Sequence, residues 1–209
     1  PDKMFNADGS LKAGLPDQTK VFPAGYQFAP GDVLYKDLDN NGEIVKQTNT
    51  NEKGDLSVIG NALPRLQFGL NLDAAWKGFD ISMFFQGVAK RKLWAAGNQV
   101  LPGFTTGEPF YKGAEDYWTP ENTDAFYPRP MDYKQSASGN YSVNDRYLLN
   151  MAYLRLKTFT VGYSLPKVWL SKFKVQGLRV YFTGENLFTI DGVKPAIDPE
   201  IGIRTAGTS

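Results

Sequence analysis

The chain has 209 residues, of which 42% are hydrophobic, 22% charged and 14% aromatic, with 21 Gly and 13 Pro, enough for one or two ordinary domains. Lys and Arg number 23 against 22 Asp and Glu, and a net charge of +1 gives no basic field to hold a nucleic-acid backbone, so nucleic acid is not an expected partner. Cys and His are both absent, which excludes disulfides, the common zinc sites, Cys nucleophiles and imidazole acid/base pairs, and with them most familiar hydrolases.

No apolar run approaches the roughly 18 residues of a membrane helix, and mean hydropathy is −0.37. Strands of a transmembrane barrel alternate faces and escape such a filter. The chain opens at Pro1 and stops in the polar Gly207-Thr208-Ser209, which reads as part of a longer polypeptide.

Residues 1–65 are rich in Pro, Gly, Asn, Asp and Lys, with short apolar clusters such as Val33-Leu34-Tyr35, and are expected to be a loop region with a few short strands. From Leu66 the alternation predicts a β-hairpin over 66–88. Phe68, Leu70, Leu72, Ala74 and Trp76 share one face, Lys77-Gly78 makes the turn, and Phe79, Ile81, Met83 and Phe85 return on one face, with Phe84 as the apolar exception. Residues 89–151 lack sustained periodicity and predict one long loop, far beyond hairpin length.

Residues 152–188 predict further strands. In Tyr153–Leu165 the apolar positions change parity, Leu154 and Leu156 being even while Phe159, Val161 and Tyr163 are odd, which predicts a bulge. Pro166–Phe173 suits one or two helical turns, and Leu178–Asn186 alternates again. Residues 189–209 return to loop composition, with no closing strand after them.

Long strands joined by short connections on one side and long loops on the other have the asymmetry of an outer-membrane barrel, with Trp76, Phe79 and Trp169 as an aromatic girdle at the short-turn end. A soluble β-sandwich, with the apolar face in a dry core, fits the same alternation.

Ordered segments carry a resemblance. They are Gly31-Asp32-Val33-Leu34-Tyr35-Lys36-Asp37-Leu38-Asp39-Asn40-Asn41-Gly42, Ile59–Pro64, Trp76–Gly87, Tyr117-Trp118-Thr119-Pro120-Glu121-Asn122, Tyr127-Pro128-Arg129, Tyr153–Lys157, Val161–Pro166, Leu178–Tyr181 and Glu185-Asn186-Leu187-Phe188. As a set they resemble the C-terminal region of the SusC/RagA family of TonB-dependent outer-membrane transporters.

The resemblance implies an all-β fold: an antiparallel fragment holding the last strands of a transmembrane β-barrel of the 22-stranded kind that encloses a plug, with long extracellular loops. It implies part of an importer of oligosaccharides or peptides in the outer membrane of a Gram-negative, Bacteroidetes-type bacterium. Its partners would be a SusD-like surface lipoprotein, outer-membrane lipid, and TonB acting through the absent N-terminal part. No catalytic residue is expected. The alternatives are a secreted β-sandwich carbohydrate-binding module, calcium-stabilised, and, more remotely, a glycoside hydrolase fragment using carboxylates such as Glu108, Glu115, Asp116, Glu121 and Asp124.

Asp37, Asp39 and Asn41 match the opening of an EF-hand-type loop and are the candidate Ca2+ ligands, although Thr48 stands where the bidentate Glu belongs. Another carboxylate, such as Glu43 or Asp55, or backbone oxygens would have to take its place; the competing expectation is an Asx-rich turn. The aromatics of the long loop, among them Phe104, Phe110, Phe126, Tyr127 and Tyr133, suit sugar stacking or internal packing, and Trp94, Tyr111, Tyr117 and Trp118 are the candidate ligand contacts. Asn71, Asp73, Arg179 and Glu185, with Arg155 and Lys157, are expected to face the lumen, because Lys or Arg pointing into lipid costs about 2–4 kcal/mol near the midplane.

Overall fold

The computed structural model describes residues 4–6, 10–46, 54–95, 97–98, 100–104, 110–132, 139–194 and 197–200. The chain divides into two compact units, one drawn from Pro1–Gly60 and Trp94–Leu148, the other from Asn61–Leu93 and Leu149–Ile201.

The second unit is an antiparallel sheet of β1 (Leu66–Trp76), β2 (Phe79–Ala89), β5 (Tyr153–Ser164) and β6 (Arg179–Asp191), in the spatial order β1-β2-β5-β6. A separate two-residue ladder pairs β3 (Lys92–Leu93) with β4 (Leu149–Asn150) inside what the sequence reads as continuous loop. Lys77 and Gly78 close the β1–β2 hairpin with φ of 48° and 89°, the two positive values that a type I′ turn requires and that match strand twist.

Register turns four separate alternations into two continuous faces. Leu72 opposes Met83, Met83 opposes Phe159, and Phe159 opposes Gly184. The rung nearest the short turns joins Trp76, Phe79, Tyr163 and Val180, and the rung farthest from them joins Phe68, Gly87, Leu154 and Ile190. The opposite face carries Asp73, Ser82, Thr160 and Thr183 on one rung and Asn71, Phe84, Thr158 and Glu185 on another. Phe84, the apolar exception, lies against Gly69, where a Cβ would stand 3.1 Å from its ring.

The parity change in β5 is a bulge at Lys157: β2 steps from Phe84 to Phe85 while β5 steps from Thr158 to Leu156. β6 adds a further residue opposite, stepping from Glu185 to Phe188 around Asn186 at φ 51°. This corrects the expected end of the last strand. The Asn186 bulge resets parity, so Phe188 and Ile190 rejoin the apolar face and pairing runs to Asp191.

Phe68 to Trp76 spans about 26 Å at ~3.3 Å per residue. Tilted by about 40°, such a band stands roughly 20 Å tall, the scale of the ~25 Å apolar belt of an outer-membrane barrel. The face is open along the outer strands: Leu70 is 50% and Phe182 62% exposed. A β-sandwich would seal these side chains between layers, and among the described residues no second sheet covers them. Among the same residues no helix is long and apolar enough to cross a membrane.

Between β5 and β6 the chain makes a single helical turn, α1 (Lys167–Leu170), and a 3-10 turn (Ser171–Phe173) that ends at Lys174 in the left-handed region. Pro166 fixes the entry and its carbonyl accepts from the Trp169 N–H.

The first unit is loop-built, and aromatic and amide side chains replace regular ladders. Val21, Phe22 and Ile44 form a small core with Tyr26, Phe28 and Tyr35 against it. Buried Gln18 exchanges both its amide groups with the backbone of Tyr35, each bond 3.0 Å, doing the work of an absent strand partner.

Candidate functional site

Of the residues expected to line a lumen, Asn71, Asp73, Arg179 and Glu185 share the polar face of the sheet. Asn71 opposes Phe84 and Asp73 opposes Ser82, while Glu185 opposes Thr158. Arg179 reaches Asp80 with an Nε–Oδ1 distance of 3.0 Å.

The strongest electrostatic constellation on this face involves two carboxylates that sequence reasoning left in featureless loop. Buried Arg155 donates to Asp198 and Glu200 at 2.7 Å each and to Thr189 at 2.6 Å. Lys157 and Tyr153 also donate to Glu200, at 2.7 and 2.8 Å. The bulge places Arg155 and Lys157 together, and the segment after β6 returns over them as counter-charge. Hydrogen bonding from Arg155 holds the Asp198 carboxyl below its usual range. Burial pushes Glu200 up, but hydrogen bonds from Lys157 and Tyr153 outweigh it and lower its pKa. The legible signal was two cations on one face of β5 needing partners.

In the loop unit a buried ion pair joins distant segments. Arg129 grips Asp32 with two bonds of 2.8 and 3.0 Å, and also donates to the Gln27 carbonyl. Asp32 accepts further from the Ala29 N–H and from the Asn140 amide, and Asn140 in turn accepts from the Val33 N–H. Burial opposes the Arg129 charge, yet Asp32 more than compensates and its pKa is raised. Both residues fall inside segments that carry the family resemblance.

The candidate ligand contacts separate. Tyr111 and Tyr117 line one half-open cavity of about 440 Å³ with Phe110, Lys112, Arg129 and Met131. Trp118 lines a different cavity of similar volume. It packs so closely on Gly31 that a Cβ there would lie 2.5 Å from its ring, and its indole N–H is buried without a hydrogen-bond acceptor. Trp94 is half-buried and lines neither cavity. Phe126, Tyr127, Tyr141 and Tyr147 pack ring against ring, which is internal cohesion. Burial, and then the Asp116 charge, pushes the Tyr127 phenol up to about 12.

In the acidic loop, Asp37, Asp39 and Asp55 bring carboxylate oxygens within 4.8 Å of one another, so Asp55 does occupy the place of a third acidic donor. Asp37 accepts from the N–H groups of Asn40 and Gly42, Asp55 from those of Leu38 and Val45, and Asp39 from that of Asn41. Asn41 accepts from the Glu43 N–H. Among the carboxylates considered for hydrolysis, Asp116 is engaged by the Phe126 N–H and the Asn122 amide. Thr48, Glu108, Tyr133 and residues 201–209 lie outside the described residues.

No family model matches the chain. It is 33% identical over 84% of its length to TonB-dependent receptor P3 of Formosa agariphila, and 34% identical over 78% to TonB-dependent receptor P26 of the same organism, covering 16% of each. It is 24% identical over 96% of its length to TonB-dependent receptor SusC of Bacteroides thetaiotaomicron, covering 20% of it. The chain thus spans about a sixth to a fifth of these relatives. In fold it resembles the RagAB peptide importer in its open-open state, with a TM-score of 0.53, 21% identity, and 79% of this chain and 17% of that one covered. The closed-closed state gives 0.52, 20% identity, and coverage of 89% and 19%. With the sequence relatives spread over most of its length and the sheet repeating the fold, the chain belongs to the SusC/RagA family of TonB-dependent receptors.

Proposed function

We propose that the chain is the C-terminal barrel portion of a TonB-dependent outer-membrane importer of oligosaccharides or peptides. The single observation that carries this reading is the apolar face, continuous over five rungs and four strands and exposed along the two outer ones, set back to back with a polar face. In a closed barrel the first face meets hydrocarbon and the second lines a wet lumen. Two edge strands cannot be left unpaired in lipid, so the remaining strands complete the sheet in the full receptor.

Transport in this reading proceeds by binding, lid closure and gated passage, with no covalent chemistry. The loop unit contributes to the extracellular vestibule, where a SusD-like lipoprotein closes over the mouth, and TonB supplies energy through the plug. Tyr111 and Tyr117 offer ring faces to a sugar or peptide side chain, with Lys112 and Arg129 as polar neighbours. Trp118 and Trp94 are assigned to packing.

The deciding experiment deletes the full-length receptor from its host, measures growth on individual glycans and on oligopeptides, and restores the receptor in trans. Loss on one substrate class, recovered by wild type and weakened by a Tyr111→Ala/Tyr117→Ala variant, supports the proposal. A receptor found in the soluble fraction, or growth unaffected on every substrate, overturns it.

The Asp37, Asp39 and Asp55 carboxylates act in this reading as Asx-type braces, each accepting from at least one nearby backbone N–H. Adding Ca2+ to the intact receptor then leaves its thermal unfolding unchanged; an upward shift reversed by chelator would make the cluster a metal site instead.

A further inference from the structure

The two short connections lie at the same end of the sheet, and each exposes both apolar and cationic side chains. Trp76 is 70% exposed, Trp169 60% and Phe173 77%, three large apolar groups left unburied at one end of the sheet. Lys77, Lys167, Lys172 and Lys174 are exposed among them. The connection from Leu165 to Leu178 contains three of these lysines and no Asp or Glu. The acid nearest the hairpin turn, Asp80, is already engaged by Arg179. Among the described residues none of the four lysines has an ion-pair partner, and Lys77 lies over the Trp76 ring at 4.7 Å.

Neither water nor hydrocarbon satisfies such a collar. Indole and phenyl groups settle at the level of lipid headgroups, and Lys stems lie along apolar surface while the ammonium seeks charge above it. Four uncompensated cations favour a headgroup layer that carries net negative charge over a zwitterionic one. The collar is also continuous with the apolar face, since Trp76 and Phe79 form its terminal rung.

We infer that the Lys77 turn and the Leu165–Leu178 connection together form a binding site for the phosphate groups of anionic phospholipids, in the leaflet on the short-connection side of the barrel. The site rests on the barrel assignment proposed above and adds a lipid class to it. Short connections of outer-membrane barrels face the periplasm, so the lipid is that of the inner leaflet.

The test uses the full-length receptor, purified in detergent and analysed by native mass spectrometry after equal additions of phosphatidylglycerol and phosphatidylethanolamine. Wild type is expected to retain phosphatidylglycerol about tenfold better, from partly screened contributions of several lysines. A Lys167→Gln/Lys172→Gln/Lys174→Gln variant brings the ratio close to one, and the matching Lys→Arg variant keeps it. Heat-dependent gel mobility shows that each variant retains its barrel. Equal retention of the two lipids by wild type, an unchanged ratio in the Gln variant, or selective retention of lipid A in place of phosphatidylglycerol each overturns the inference. A receptor that stays in the membrane without lipid preference removes this site alone, whereas one that needs no membrane removes the barrel reading with it.

Discussion

Arg179 of β6 reaches Asp80 of β2 over the intervening strand, and Gly162 of β5 is what leaves room for it. Gly162 opposes Asp80 on one side and Tyr181 on the other, and a Cβ there would lie 2.6 Å from the Arg179 guanidinium and 2.8 Å from the Asp80 carboxylate. The glycine therefore leaves the space in which the pair closes across β5. The atoms a Cβ would meet are the far ends of two flexible, partly exposed side chains, so Gly162→Val in the full receptor is expected to push the pair apart and lower the unfolding temperature in detergent by about as little as Arg179→Ala does. A much larger loss from Gly162→Val would mean that the space, and not the pair, matters.

The two faces make a depth-resolved prediction. Met83 lies on the third of five rungs and Val180 on the first, beside the short turns. Met83→Arg is expected to cost about 2–4 kcal/mol at the midplane and Val180→Arg about 0–1 near the interface, with Arg179→Ala on the other face leaving insertion intact. Folded receptor in the outer-membrane fraction, scored by heat-dependent gel mobility, measures all three. Equal yields for Met83→Arg and Arg179→Ala would reverse the facing assignment.

These rungs were legible in the sequence because side-chain alternation is a local property: the face of Leu66–Trp76 follows from period two alone, and so does the bulge announced where Leu156 gives way to Phe159. The extension of β6 was hidden by the same rule. Asn186 breaks the alternation, and only pairing with β5 shows that Phe188 and Ile190 continue the strand. In the loop unit, Tyr111 and Tyr117 do share a cavity, but Trp118 is turned to Gly31. Contacts between residues about a hundred positions apart, such as Asp32 with Arg129, are set by loop closure and leave no periodic trace.

That ion pair is itself testable. The Asp32 side chain is fully buried and Arg129 mostly so, and deleting one member strands the other. Breaking a buried pair costs about 3–5 kcal/mol, which the partial exposure of Arg129 reduces to roughly 2–3 kcal/mol for Asp32→Ala. The double variant Asp32→Ala/Arg129→Met should recover part of this loss, because no uncompensated charge remains. Protease resistance of the 26–35 and 126–132 segments in the intact receptor reports the effect; a double variant no better than Asp32→Ala would show that the hydrogen bonds to Ala29 and Asn140, and not the charges, hold the loops.

Acid should release the segment after β6. The Asp198 and Glu200 carboxyls both have lowered pKa values in the folded chain, so their contribution is fully present above the ordinary values of 3.8 and 4.5 and is lost as pH falls below them. The unfolded state takes up protons first, and the folded state follows only when the bonds to Arg155 and Lys157 are given up. The expected outcome is a wild-type unfolding temperature that drops between about pH 5 and pH 3 by more than that of an Asp198→Asn/Glu200→Gln variant. Other carboxylates of the receptor titrate alike in both proteins, so the difference between the two curves isolates this network. Parallel curves would mean that Arg155 and Lys157 are satisfied by other groups when the segment is neutral.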